Sequence, residues 1–134
     1  PAGFANEGIE KAFDGRLDSK YCVSQQNIHN NPILLVTEDI IELASISFVT
    51  ANDSETNKRV PTSIKVEGST NGTDWTILLD ESSPSFEPVM NYKEYNFRID
   101  ESKRGKYNQY RITFTANSTI QFSEIMLFYD PNSK

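Results

Sequence analysis

Ile64-Lys65-Val66-Glu67-Gly68-Ser69-Thr70-Asn71-Gly72-Thr73-Asp74-Trp75-Thr76-Ile77-Leu78-Leu79 is the stretch that decides the fold. Ile64 and Val66 alternate with Lys65 and Glu67, and that period of two sends one face of a strand into a core and the other into water. Asn71-Gly72-Thr73-Asp74 follows as turn material, because glycine enters the positive-φ region freely and Asn and Asp side chains bond to nearby backbone. Trp75, Ile77 and Leu79 then alternate again. Two alternating runs around such a turn predict a β-hairpin.

The same period recurs on both sides of the hairpin. Ala44, Ile46 and Phe48 alternate with Ser45, Ser47 and Val49. Tyr95, Phe97 and Ile99 alternate with Glu94, Asn96 and Arg98, and Tyr110, Ile112 and Phe114 with Arg111, Thr113 and Thr115. Ile125, Leu127 and Tyr129 close the series. Polar or proline-bearing segments at 52–59 and 81–91 separate the runs. Several alternating strands between turn-rich connections predict an all-β sandwich or barrel. The one helical candidate, Gly8 to Asp14, is at most two turns long.

A chain of 134 residues suits one domain. Residues 1–130 are expected to form it, with 131–134 as a tail or the start of a linker. Opening at Pro1 without an initiator Met, the sequence reads as a piece of a longer protein. Its single cysteine, Cys22, leaves no intramolecular disulfide to form. A net charge of −6 opposes nucleic acid and anionic membrane lipid, which both reward basic surfaces. The dense basic cluster of Lys103, Arg104 and Lys106 is expected to be a solvated turn.

Four blocks, in order, carry a family resemblance. They are Ala12-Phe13-Asp14-Gly15 with Asp18-Ser19-Lys20-Tyr21; Phe48-Val49-Thr50-Ala51-Asn52-Asp53; Ile64 through Trp75; and Tyr110-Arg111-Ile112 with Ile120-Gln121-Phe122-Ser123-Glu124-Ile125. Together they resemble the discoidin-like, coagulation factor 5/8 type C superfamily, and within it the family 32 carbohydrate-binding modules. The resemblance implies an antiparallel jelly-roll β-sandwich of about eight strands, galactose-binding-domain-like, with Trp75 in the core. The sequence departs from the family pattern at Tyr21, where Trp is usual, at Cys22, where many galactose binders have His, and at Val60, which replaces an Asp. It also lacks the cystine that ties the ends of many animal members, which favours a microbial module.

Asp14 and Asp18 lie four apart on a loop made flexible by Gly15, with Ser19 beside them. Calcium takes several oxygen ligands from such a curved segment, although a turn capped by its own Asp side chains has the same composition. The resemblance implies a structural Ca2+ held by the carbonyls of Lys11 and Arg16 with Asp14, Asp18, Ser19 and Glu124.

Sugar binding needs a planar apolar surface and fixed hydrogen-bonding groups. The expected loops offer His29 and Asn30, with Asn27 beside them, then Asn52, Asp53 and Arg59, then Phe86 and Tyr92. Arg59 is the nearest match to the arginine that contacts sugar in galactose-binding relatives. Catalysis finds no such support. The one His and one Cys, His29 and Cys22, have no evident orienting partner, and no phosphate loop, His-metal motif or nucleophile elbow occurs. The expectation is a non-catalytic module that binds a glycan or glycoprotein. It would target a larger secreted or surface enzyme or adhesin, such as a glycoside hydrolase or peptidase, alongside other domains of the same chain. A protein- or lipid-adhesion module of the discoidin type, with Phe86 and Met90 as loop spikes, and a structural spacer are the alternatives. Sequons begin at Asn52, Asn71 and Asn117 and matter only in a eukaryotic secretory route.

Overall fold

The computed structural model describes residues 13, 20–23, 32–52, 54, 59–82, 84, 86, 89–116 and 119–129. The helical candidate, Phe13 excepted, and the 131–134 tail lie outside them. Eight strands occur among the described residues: β1 Tyr21–Val23, β2 Ile33–Val49, β3 Ser63–Ser69, β4 Thr76–Glu81, β5 Glu94–Arg98, β6 Lys106–Thr115, β7 Ile120–Phe122 and β8 Glu124–Tyr129. All their pairings are antiparallel. β4, β3, β6, β2 and β5 follow one another across a continuous ladder, β8 also pairs with β2, and β1 pairs with β7. The architecture is the all-β jelly-roll sandwich that the alternation and the resemblance predict.

β2 makes this possible. Ile33 to Val36 pair with Ile112 to Gln109 of β6, whereas Ser45 to Val49 pair with β5 on one side and β8 on the other. Register shifts at Val36/Ile41 and at Leu43/Ser45 fall between the two halves. Bulges bend a strand and increase its twist, so β2 leaves one layer and enters the other. Phe48 from its second half then meets Phe114 of β6 at 5.3 Å between ring centroids and Phe122 of β7 at 4.8 Å. Tyr21, Ile46, Ile64, Val66, Tyr110, Ile112 and Ile120 complete a fully buried centre.

The hairpin forms where the sequence predicts it, with β3 paired to β4. Gly72 takes φ 79°. Asn71 Oδ1 accepts from the backbone N–H of Thr73 and Asp74 at 2.9 and 2.8 Å, and its Nδ2 donates to Asp74 at 2.8 Å. Ser69 Oγ accepts from the N–H of Gly72 at 2.9 Å.

Two expectations for this hairpin need correction. A register shift opposite Val66/Glu67 breaks the alternation of β4. Leu78 and Leu79 both point inward as a result, while Ile77 is 48% exposed. Trp75 is half-buried and lies outside the core cluster. The guanidinium of Arg111 sits 4.2 Å from the centroid of its ring, so the indole covers a polar group on the outside of the sheet. Tyr129, expected to close the inward series, is 43% exposed at the end of β8.

Candidate functional site

The second half of β2 and the start of β5 meet at one end of the sandwich, and a knot of side chains there fixes the loops. The backbone N–H of Thr50 donates to Lys93 O at 3.0 Å, and that of Lys93 donates back to Thr50 Oγ1 at 2.9 Å. The Thr50 hydroxyl donates to Met90 O. From the other side, Ser123 Oγ donates to Thr50 O at 2.7 Å. Thr50 and Ser123 are both buried. A buried hydroxyl must find partners, and these two find backbone oxygens of neighbouring loops, so the segment after β2, the segment before β5 and the β7–β8 corner are held as one unit.

The next segment is tied to the same unit. Ala51 N–H donates to Ser54 Oγ at 2.8 Å, Gln121 Nε2 reaches Ser54 Oγ at 3.4 Å, and Gln121 N–H donates to Arg59 O at 3.0 Å. Asn52, Arg59, Met90 and Tyr92 therefore belong to one rim. Asn52 and Tyr92 are exposed there, and Arg59 is half-buried. Tyr92 is the one non-glycine residue with positive φ among those described, at 53°. For a bulky side chain this conformation costs about 1 kcal/mol or more. The bonds of Thr50 to Met90 and Lys93 impose it, and the ring it carries is 46% exposed.

Phe86, expected on the ligand face, is corrected: it is 3% exposed, with its ring 4.9 Å from Tyr95 and 5.6 Å from Phe97. Its apolar area is worth more against those rings than in a wet loop. For the same reason it cannot act as a loop spike. Met90, by contrast, is 46% exposed. His29, Asn30 and Asp53 lie outside the described residues, as do Lys11, Asp14, Arg16, Asp18 and Ser19 of the expected metal site. Glu124, the remaining expected metal ligand, is buried at 8% exposure where β8 leaves the rim. Cys22 is buried at 2% exposure opposite Gln121 in the β1–β7 pair.

One cluster was missed by sequence reasoning. Arg111 Nε and Nη2 donate to the two carboxylate oxygens of Glu67 at 3.0 and 3.1 Å, beneath the Trp75 ring. Glu67 and Arg111 are direct partners across β3 and β6, a relation that no spacing in one strand reveals.

No family model matches the sequence, and no curated protein does. Solved structures do match in fold. An F5/8 type C domain from Bacteroides fragilis superposes with a TM-score of 0.72 over 94% of this chain and 82% of its own, at 16% identity. Module CBM32-3 of a family 31 glycoside hydrolase from Clostridium perfringens gives 0.70 over 92% and 83%, at 18% identity. The family 32 carbohydrate-binding module of Clostridium perfringens NanJ, solved in complex with galactose, gives 0.67 over 96% and 89%, at 10% identity. The chain has the discoidin-like fold of F5/8 type C domains and family 32 modules.

Proposed function

We propose that the chain is a non-catalytic glycan-binding module whose ligand sits on the rim of Asn52, Arg59 and Tyr92. The observation that carries this reading is the Tyr92 ring, held outward in a costly backbone conformation by the buried Thr50 knot. Local strain of this kind gathers at functional sites. An exposed aromatic ring offers the apolar plane that the C–H face of a sugar needs, and an arginine fork spans adjacent hydroxyl groups. Asn52 adds a donor and an acceptor on the same rim. The galactose bound by the NanJ module supports the class of ligand through fold alone. Cys22, in place of a usual histidine, argues against simple galactose and for a different or larger glycan. His29, Asn30 and Asp53, polar residues of the expected loops, belong to the proposed contact set.

The same reading puts the module outside the cell or on its surface, in a microbial protein whose other domains it delivers to glycans. A structural calcium ion, with Glu124 and the 11–19 loop as its ligands, would tie the first loop to the last strand. Exposed Met90 beside Tyr92 favours lipid adhesion as the second reading. A glycan array run beside sedimentation with anionic liposomes separates the two. Array binding without co-sedimentation is expected. Co-sedimentation with an empty array would replace the glycan reading by the lipid one, and silence in both would make the domain a spacer.

A further inference from the structure

We propose that the outer face of the β5–β2–β8 ladder carries a second site, which takes an acidic saccharide through Arg98 and Arg104. Ser45 pairs with Arg98 of β5 on one side and with Phe128 of β8 on the other. Directly opposed residues share a face of a sheet. Ile46 and Phe48 point into the core, so this row is on the outside. Arg98 and Phe128 flank Ser45 about 10 Å apart, twice the strand spacing. A recess of about 260 Å3 opens here, lined by Ala44, Ser45, Asn96, Arg98 and Arg104. It is close to the lower limit of small-molecule sites, roughly 300 Å3, and holds about one sugar unit.

The lining is preset for an anion on a hydroxylated ring. Arg104 Nε donates to Ile99 O at 2.9 Å, which anchors the guanidinium and leaves its terminal donors for a ligand. The Arg98 side chain is 69% exposed, and its ion pair with Glu101 is long, at 3.5 Å, with Glu101 78% exposed. Such a solvated pair contributes little and exchanges readily for a ligand anion. Asn96 Nδ2 donates to Ser45 Oγ at 3.2 Å and to Ser47 Oγ at 2.8 Å, which fixes the amide and leaves its carbonyl oxygen as an acceptor. Phe128, 44% exposed, offers a ring at the edge of the row.

Two guanidinium side chains lining one recess in a chain of net charge −6 run against its overall balance. A carboxylate or sulfate group meets their forked donors in pairs. A neutral sugar would leave the forked donors with nothing better than the long, solvated Arg98–Glu101 pair, and a bare anion would not use Asn96 or Phe128. An acidic sugar uses both guanidinium groups and Asn96, and a longer chain extends toward Phe128, which stands beyond the recess lining. This site does not rest on the rim reading, because β5 runs from the rim at Glu94 to the recess at Arg98.

Calorimetric titration of the full chain at low and physiological salt tests the assignment. The probes are a hyaluronan oligosaccharide for carboxylate, a chondroitin sulfate oligosaccharide for sulfate, a neutral cello-oligosaccharide, and sodium sulfate. The expected result is binding of one or both acidic oligosaccharides and not of the neutral one, and the tighter of the two identifies the anion. Arg98→Gln should weaken that binding about tenfold or more. Glu101→Gln should strengthen it by freeing Arg98. Phe128→Ala should weaken the oligosaccharide and leave sulfate unchanged. Arg104→Lys, which keeps the charge and loses the fork, should weaken binding with at most a small fall in Tm from the lost bond to Ile99 O. The proposal is overturned by equal affinity for neutral and acidic chains, by no acidic binding, by wild-type affinity in Arg98→Gln, or by weaker binding in Glu101→Gln.

Discussion

Arg111 spans two partners at once: its guanidinium lies 4.2 Å from the centroid of the Trp75 ring and forks onto both carboxylate oxygens of Glu67. Glu67 is only 7% exposed. Removing the arginine strands a buried carboxylate, which costs more than the pair itself contributes. Arg111→Ala should lower unfolding stability by about 2 kcal/mol or more, read from urea midpoints. Arg111→Met combined with Glu67→Gln should recover part of that loss. Additive losses in the double variant would contradict the pairing.

Gly68 and Tyr107 set a second test. A Cβ built on Gly68 would stand 2.5 Å from the Tyr107 ring, and one on Gly105 would stand 2.8 Å from it. The ring is packed against two bare backbones, so Gly68→Ala forces it out at a cost of about 1–3 kcal/mol. Gly72→Ala, at φ 79° in the turn, should cost about 1 kcal/mol, mainly through backbone strain, with Gln109 Oε1 3.2 Å from the added Cβ. Equal and negligible losses at both positions would contradict the packing.

Tyr110 predicts how stability falls in alkali. Burial is the main cause that pushes its hydroxyl from 10.0 up to about 12, and it donates to Ile41 O at 2.5 Å. The folded state therefore keeps a proton that the unfolded chain loses above about pH 10. Its contribution is complete below pH 10 and drains away as pH rises toward 12. Burial pushes Tyr21 upward as well, which steepens the same decline. Urea midpoints between pH 8 and 11 should fall above pH 10, and Tyr110→Phe should flatten that slope. An unchanged slope in the variant would contradict the assignment.

Most of the fold was legible because its signals are local. Alternation in 44–49, 94–99 and 110–115 identified three strands, and Asn71-Gly72 identified the hairpin. The first half of β2 was missed. Ile33-Leu34-Leu35-Val36 is continuously apolar, yet Leu34 and Val36 are 54% and 69% exposed, so hydropathy gives it no face. The alternation of β4 failed at a bulge whose cause lies in its pairing with β3. The rim was legible only in part. Asn52, Arg59 and Tyr92 were named from loop position, whereas Phe86 has the same kind of loop sequence and is core. The Thr50–Lys93 bonds that gather the rim join residues 43 apart, which no motif records.

The proposed calcium ion makes a separate prediction. An ion bound only to the folded chain stabilises it by about 2.7 kcal/mol at a hundredfold excess over Kd. Chelation should lower Tm, and Glu124→Gln should remove most of the difference. An equal Tm with and without chelator, with no metal by elemental analysis, would contradict the ion.

The central claim is a glycan on the rim, and calorimetric titration of the best array glycan into wild type, Arg59→Ala and Tyr92→Ala tests it most directly. Wild-type Kd is expected on the order of 0.1–1 mM, about −4 to −5.5 kcal/mol, because a small ligand makes few contacts there. Losing one charged donor costs about 1.5–3 kcal/mol, so Arg59→Ala should abolish detectable heat. Tyr92→Ala should weaken binding by the lost stacking plane and leave Tm equal or raised, since the positive-φ tyrosine is strained. Affinities equal to wild type in both variants, with folding intact, would contradict a glycan site on this rim.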